Sequence, residues 1–114
     1  MLDHVFFRVT SSQFDSIVAW YLAALAPLGY FKTADKGDSV GLGQREGQAP
    51  FWIATHENST ASGIHLAFKA NDHESVDKFF EEAIKAGGTD DGKPGLRTRF
   101  HPTYYAAYVL DPLG

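Results

Sequence analysis

The chain has 114 residues, 44% of them hydrophobic and 21% charged, a formal net charge of −4 and no cysteine. That length suits one domain with a core of its own, the negative charge argues against a nucleic-acid surface, and the lack of cysteine excludes disulfides and thiolate metal sites. No run approaches the ~18 apolar residues of a membrane span, and the opening Met1-Leu2-Asp3-His4 lacks the basic and apolar parts of a signal peptide, so no membrane contact and a cytoplasmic address are expected.

Residues 2–9 alternate strictly, which predicts a strand with Val5, Phe7 and Val9 on one face and His4, Phe6 and Arg8 on the other. Phe14, Ile17, Val18, Tyr21 and Leu22 then fall on the stripe of a helix covering a sheet. The spacing predicts that helix over 12–26, with Ser12 and Asp15 as a weak capping box and Pro27 and Gly29 as its stop. Residues 30–33 read as a short strand, 34–38 as a polar turn, and 39–44 as a strand in which Gly41 and Gly43 let a neighbour approach closely. Residues 45–48 turn the chain into a third strand at 51–55. The first half is therefore strand, helix, then three strands.

Residues 56–62 are polar and read as a linker, with His56 in solvent. The run 63–70 echoes the opening strand: Ile64, Leu66, Phe68 and Ala70 share one face, and His65, Ala67 and Lys69 the other. Two such strands side by side would bring His4 and His65 together. Asn71 with Glu74 offers a helix cap, and Val76, Phe79, Phe80, Ala83 and Ile84 repeat the first helical stripe at one constant offset, a residue longer than that between the histidines. Strand then helix, twice in one phase, is internal duplication. Gly87-Gly88 stops the second helix, leaving His73 on its surface in the first turn. Residues 89–103 lose period and read as a long loop around Asp90-Asp91-Gly92-Lys93-Pro94-Gly95, with a strand possible at 96–100. Residues 104–110 return to strand composition and 111–114 form a turn. By analogy with the first half a last strand follows that turn; either the sequence shown stops short of it or the protein has lost it.

The expected fold is thus α+β: one domain of two βαβββ modules sharing a curved mixed sheet, with residues 1–55 as the first module, 56–62 as linker and 63–114 as the second. His4 and His65 have two readings, half-buried strand histidines bonded to neighbours or a metal-binding pair. Arg97, Arg99, His101, Tyr104 and Tyr105 either line a cleft mouth, offering cations and phenols to an anionic or aromatic ligand, or stand on an exposed loop. Arg8 and Lys69 share the histidine face as cleft cations or strand-end residues. Phe51 and Trp52 read as core or dimer contacts in preference to a stacking platform.

The paired unit, with Leu2-Asp3-His4-Val5, Ala24-Leu25-Ala26-Pro27-Leu28-Gly29-Tyr30, the run from Gly63 to Phe68 and the closing Asp111-Pro112-Leu113-Gly114 in that order, resembles the vicinal oxygen chelate superfamily of glyoxalase I, extradiol dioxygenases and bleomycin- and fosfomycin-resistance proteins. The resemblance covers the whole chain. It implies a small metal-dependent enzyme, a lyase, dioxygenase or transferase acting on a small oxygen-bearing molecule, with His4 and His65 as ligands of a divalent iron, manganese or zinc ion. The usual carboxylate ligand would lie on the last strand, and Ala54 stands where glyoxalase I carries a glutamate. Two histidines alone hold such an ion weakly, so occupancy is expected to be weak or nil. The other function it implies is a metal-free protein of the bleomycin-resistance type that sequesters a small aromatic molecule. A homodimer is expected by resemblance.

Overall fold

The computed structural model describes residues 2–58 and 64–114. In chain order the elements are β1 (Val5–Val9), α1 (Ser11–Leu25), a 3₁₀ turn (Ala26–Leu28), β2 (Phe31–Asp35), β3 (Ser39–Gly43), β4 (Phe51–Thr55), α2 (His73–Lys85), β5 (Thr89–Leu96) and β6 (Tyr105–Leu110). The architecture is α+β, as the sequence predicts.

The first four strands form one mixed sheet in the order β1-β4-β3-β2. β4 sits inside it, parallel to β1 and antiparallel to β3. Register puts Val5, Phe7 and Val9 beside Phe51, Ile53 and Thr55, so the apolar faces of neighbouring strands coincide. Phe7, Val9, Val40, Leu42, Phe51 and Ile53 are buried beneath Phe14, Ile17, Trp20, Tyr21, Ala24 and Leu25 of α1. Burial of this kind contributes roughly 1.5–3 kcal/mol per large side chain and is what holds α1 to the sheet. α1 begins one residue earlier than its spacing predicts: the N-cap is Thr10, whose N–H donates to Gln13 Oε1 at 3.1 Å, in place of Ser12 with Asp15. It ends through Pro27 in the 3₁₀ turn and Gly29 at a φ of 85°, a left-handed cap that favours glycine.

The second half departs further from expectation. Residues 64–70 form no strand, and β5 and β6 make a separate two-stranded sheet, not part of one continuous curved sheet. Alternation dictates which way side chains point, but a ladder also needs a neighbouring backbone, and among the described residues nothing pairs with 64–70. The ladder partner of β1 is β4, so no pairing juxtaposes the two histidine-bearing segments. Phe68 and Ala70 still pack against the core, while Ile64 and Leu66 of the same apolar face are 58% and 37% exposed. Gly63 and linker residues 59–62 lie outside the described residues.

α2 is capped by Asp72, whose carboxylate accepts the Ser75 N–H at 2.7 Å, and not by Asn71. Its one buried residue is Ala83. The halves are joined there: Trp20 Nε1 donates to the Ala83 carbonyl at 3.1 Å, and a Cβ at Gly88 would stand 2.9 Å from the same indole. Where a loop is expected, residues 89–96 form β5, with register shifts between Asp90 and Gly92 and between Gly92 and Gly95. Bulges on a two-stranded edge accommodate Gly92, Pro94 and Gly95, which a central strand would reject. Residues 97–103, which take in the strand expected at 96–100 apart from Leu96 in β5, are mostly turn. No helix among the described residues is long and apolar enough to cross a membrane.

Candidate functional site

The sheet face turned away from α1 carries the other half of the alternation. Phe6 and Trp52 are register partners in the parallel β1–β4 pair, and their rings stack at 5.5 Å with 15° between planes. His4 meets the Phe6 ring edge-on at 5.5 Å, and its Nδ1 lies 2.7 Å from Asp3 Oδ2. Trp52 can lie over β3 because its register partner there is glycine: a Cβ on Gly41 would stand 3.1 Å from the indole and 2.7 Å from the Ala49 methyl. The outcome is an open hollow of about 470 Å³ with an aromatic floor, rimmed by polar groups of Thr33, Lys36, Ser39 and Gln48. Phe6 is 48% exposed, an unusual position for a phenylalanine on a structured strand. Arg8 extends from the same face by alternation.

A second, larger cleft of about 710 Å³ lies in the other half, between residues 64–70 and β6. His65, Lys69, His101, Tyr104 and Tyr105 all line it. The His65 ring meets Tyr108 edge-on at 6.0 Å. Tyr105 donates to Asp77 Oδ1 at 2.6 Å, a bond that raises its phenol above the usual range, and His73 stacks flat on its ring at 3.9 Å. Tyr104 is raised first by its bond with Tyr108. At one end Tyr21 donates to Asp111 Oδ2 at 2.6 Å; burial first, and then the carboxylate, push that phenol far above its ordinary range. Arg97 lies against Tyr108, its guanidinium 5.3 Å from the ring centroid and one N–H donated to the Lys93 carbonyl at 2.6 Å; its Nε is buried without a hydrogen-bond partner. Arg99 stands in the exposed turn over Phe100.

No protein-family model matches the sequence, and no curated protein matches it. Solved structures do. A glyoxalase/bleomycin resistance protein from Albidiferax ferrireducens T118 superposes with a TM-score of 0.76 at 29% identity, over 98% of this chain and 90% of its own. A glyoxalase/bleomycin resistance protein/dioxygenase family enzyme from Burkholderia phytofirmans PsJN does so at 0.67 and 25%, over 97% and 90%. These neighbours support the vicinal oxygen chelate superfamily for this chain. A hypothetical protein from S. aureus, 17% identical with a TM-score of 0.63 over 97% of this chain and 87% of its own, shares the fold.

For a vicinal oxygen chelate protein, resemblance implies a divalent metal on His4 and His65. The donor set described here does not fit one: among the described residues no three histidine, cysteine, aspartate or glutamate side chains converge. His4 lines the aromatic hollow with Asp3 on its Nδ1, whereas His65 lines the larger cleft. Of the other candidates, Lys69, His101, Tyr104 and Tyr105 do share one cleft, while Arg8 belongs to the other face. The sequence puts Phe6 on the histidine face and leaves a stacking platform as the lesser reading of Trp52, but it does not reveal that the two rings stack on one another. Nor does it reveal the Tyr21–Asp111 and Tyr105–Asp77 bonds, which join residues far apart in sequence and leave no local pattern.

Proposed function

We propose that this chain is a small-molecule binding protein of the vicinal oxygen chelate superfamily that holds a planar aromatic ring on the Phe6–Trp52 floor. The observation that carries this reading is the stacking of exposed Phe6 on half-buried Trp52, on a strand face where alternation alone would accept any polar residue. Aromatic rings gain about 0.5–1.5 kcal/mol from such contacts beyond the area they bury. Lys36, Gln48, Thr33 and Ser39 supply hydrogen bonds at the rim for the polar substituents of the ligand. A cytoplasmic homodimer, with the cleft shared by two copies, is part of the same reading. Fluorescence titration with a panel of small aromatic compounds tests it, because Trp52 lies on the floor and Trp20 is buried at 5% exposure. Phe6→Ala and Trp52→Ala are each expected to weaken the best binder by about tenfold, some 1.4 kcal/mol. Unchanged affinity in both variants overturns the reading.

A second reading is a metal-dependent lyase, dioxygenase or transferase with His4 and His65 as ligands. What favours it is histidine at the matching place in the two halves of the sequence. It requires a further ligand from outside the described residues. Calorimetric titration with manganese, iron or zinc, repeated on His4→Ala and His65→Ala, decides it: tight binding lost in both variants supports the enzyme, and the same binding in all three proteins removes it.

A further inference from the structure

Granted the small-molecule reading of the aromatic hollow, on which this inference rests, we infer that the ligand is an aromatic acid. Its planar ring lies on the Phe6–Trp52 floor and its carboxylate is held by the Lys36 ammonium. Three of the side chains lining the hollow can carry charge: Asp3, His4 and Lys36. Asp3 is already engaged, its Oδ2 lying 2.7 Å from His4 Nδ1. The acid next to Lys36 in the chain is engaged as well. Asp35 accepts from Lys32 Nζ at 2.9 Å and from the Gly37 N–H at 3.0 Å, and the bond from Lys32 is the first cause of a carboxyl held below its usual range. Asp38, on the same turn, makes no ion pair with Lys36. Among the described residues Lys36 therefore has no ion-pair partner, and it is the one charged side chain of the hollow in that position.

The fold fixes where that ammonium starts from. The Lys36 N–H donates to the Ser39 carbonyl at 2.9 Å and closes the turn at Gly37-Asp38, where Gly37 takes a φ of 88°. The backbone is thus anchored on the rim while the flexible four-carbon stem keeps its reach. Gln48 stands on the same rim and adds amide N–H donors, which a carboxylate accepts and a cation cannot. Aromatic faces on their own attract positive charge. Here, however, the Phe6 and Trp52 rings are stacked on each other, and a cationic ring would meet Lys36 with no unengaged carboxylate lining the hollow to offset it. The formal net charge of −4 does not decide the matter, because it is spread over the whole chain and screening confines exposed charges to about 8 Å at physiological salt.

The test compares 2-naphthoate with 2-naphthamide, the same ring system with the carboxylate replaced by a neutral group of similar shape. Each is titrated at neutral pH into the isotope-labelled chain and followed by amide NMR shifts. The carboxylate is expected to bind about two- to fivefold more tightly, the size of an exposed ion pair. Lys36→Gln should bring the two affinities together, and Lys36→Arg, which keeps the charge, should hold them apart. Lys85→Gln, which removes a positive charge from the last turn of α2, should hold them apart as well. Equal affinities in the parent chain, a preference for the amide, or a preference that survives Lys36→Gln overturns the inference. Two compounds that bind equally and are both weakened by Phe6→Ala leave the aromatic floor standing and remove only the acid. Without saturable shifts from either compound, floor and acid fall together.

Discussion

The two halves of the chain carry the same pattern of apolar residues and reach different degrees of burial. In the first, helix stripe and strand faces meet in a closed core; in the second, α2 buries only Ala83 and every residue of β6 retains some exposure. The stripe alone does not explain it, since Val76, Phe79, Phe80 and Ile84 are as apolar as their counterparts in α1, although the buried Trp20 and Leu25 of α1 correspond to Glu82 and Gly87. The sheet beneath differs as well. α1 lies on strands joined in register by β4, whereas α2 lies on a two-stranded ribbon and an unpaired segment. A helix stripe can bury only as much as the surface opposite it provides, and a two-stranded ribbon provides little.

That contrast predicts unequal costs for equivalent truncations. Ile53→Ala empties a fully buried position at the centre of the larger sheet and should lose about 2–5 kcal/mol in urea denaturation. Val109→Ala, on the partly buried β6, should lose about 1 kcal/mol or less. Equal losses would mean that the second half is as well packed as the first, and the comparison would fail.

The same contrast governs how much of the molecule was legible beforehand. Residues 51–55 form β4 just as their composition predicts, because a buried central strand is dictated by its own apolar run. Residues 63–70 read as strand with equal force, and the described part is unpaired, because alternation specifies faces and is silent about neighbours. β5 was hidden for the opposite reason: its Gly92, Pro94 and Gly95 are turn residues that a bulged edge tolerates. In the candidate site, Tyr104, Tyr105 and His101 had two readings, cleft mouth or exposed loop, and they line the larger cleft. The pairing of Phe6 with Trp52 was not legible, since Trp52 follows Phe51 and only the sheet separates the surface ring from the core ring.

Gly41→Ala sharpens the comparison at that floor. The new methyl would press on the Ala49 methyl and the Trp52 indole, on the open face and not within the core. Overpacking costs about 1–3 kcal/mol where neighbours cannot move, and here the indole can swing into the hollow. A loss at the low end of that range, with a changed Trp52 emission and weaker aromatic binding, is the expected outcome. A loss as large as that of Ile53→Ala would place Trp52 in the core after all.

A similarly small effect lies at the bond between the halves. Tyr21 of α1 donates to Asp111 beyond β6, and burial keeps its phenol protonated in the folded chain well above the pH at which an exposed tyrosine ionises. The unfolded chain releases that proton near pH 10, so the contribution of Tyr21 is whole below that pH and declines as pH rises beyond it, by up to about 1.4 kcal/mol per pH unit. Tyr21→Phe keeps the ring in the core and removes only the hydroxyl, so near neutral pH it should cost about 0.5–1.5 kcal/mol. Between pH 10 and 11 the variant should lose stability less steeply than the parent, because one ionising group has gone. Parallel pH profiles would show that Tyr21 is not protected by the fold, and that the second half does not cover α1 at Asp111 as the geometry requires.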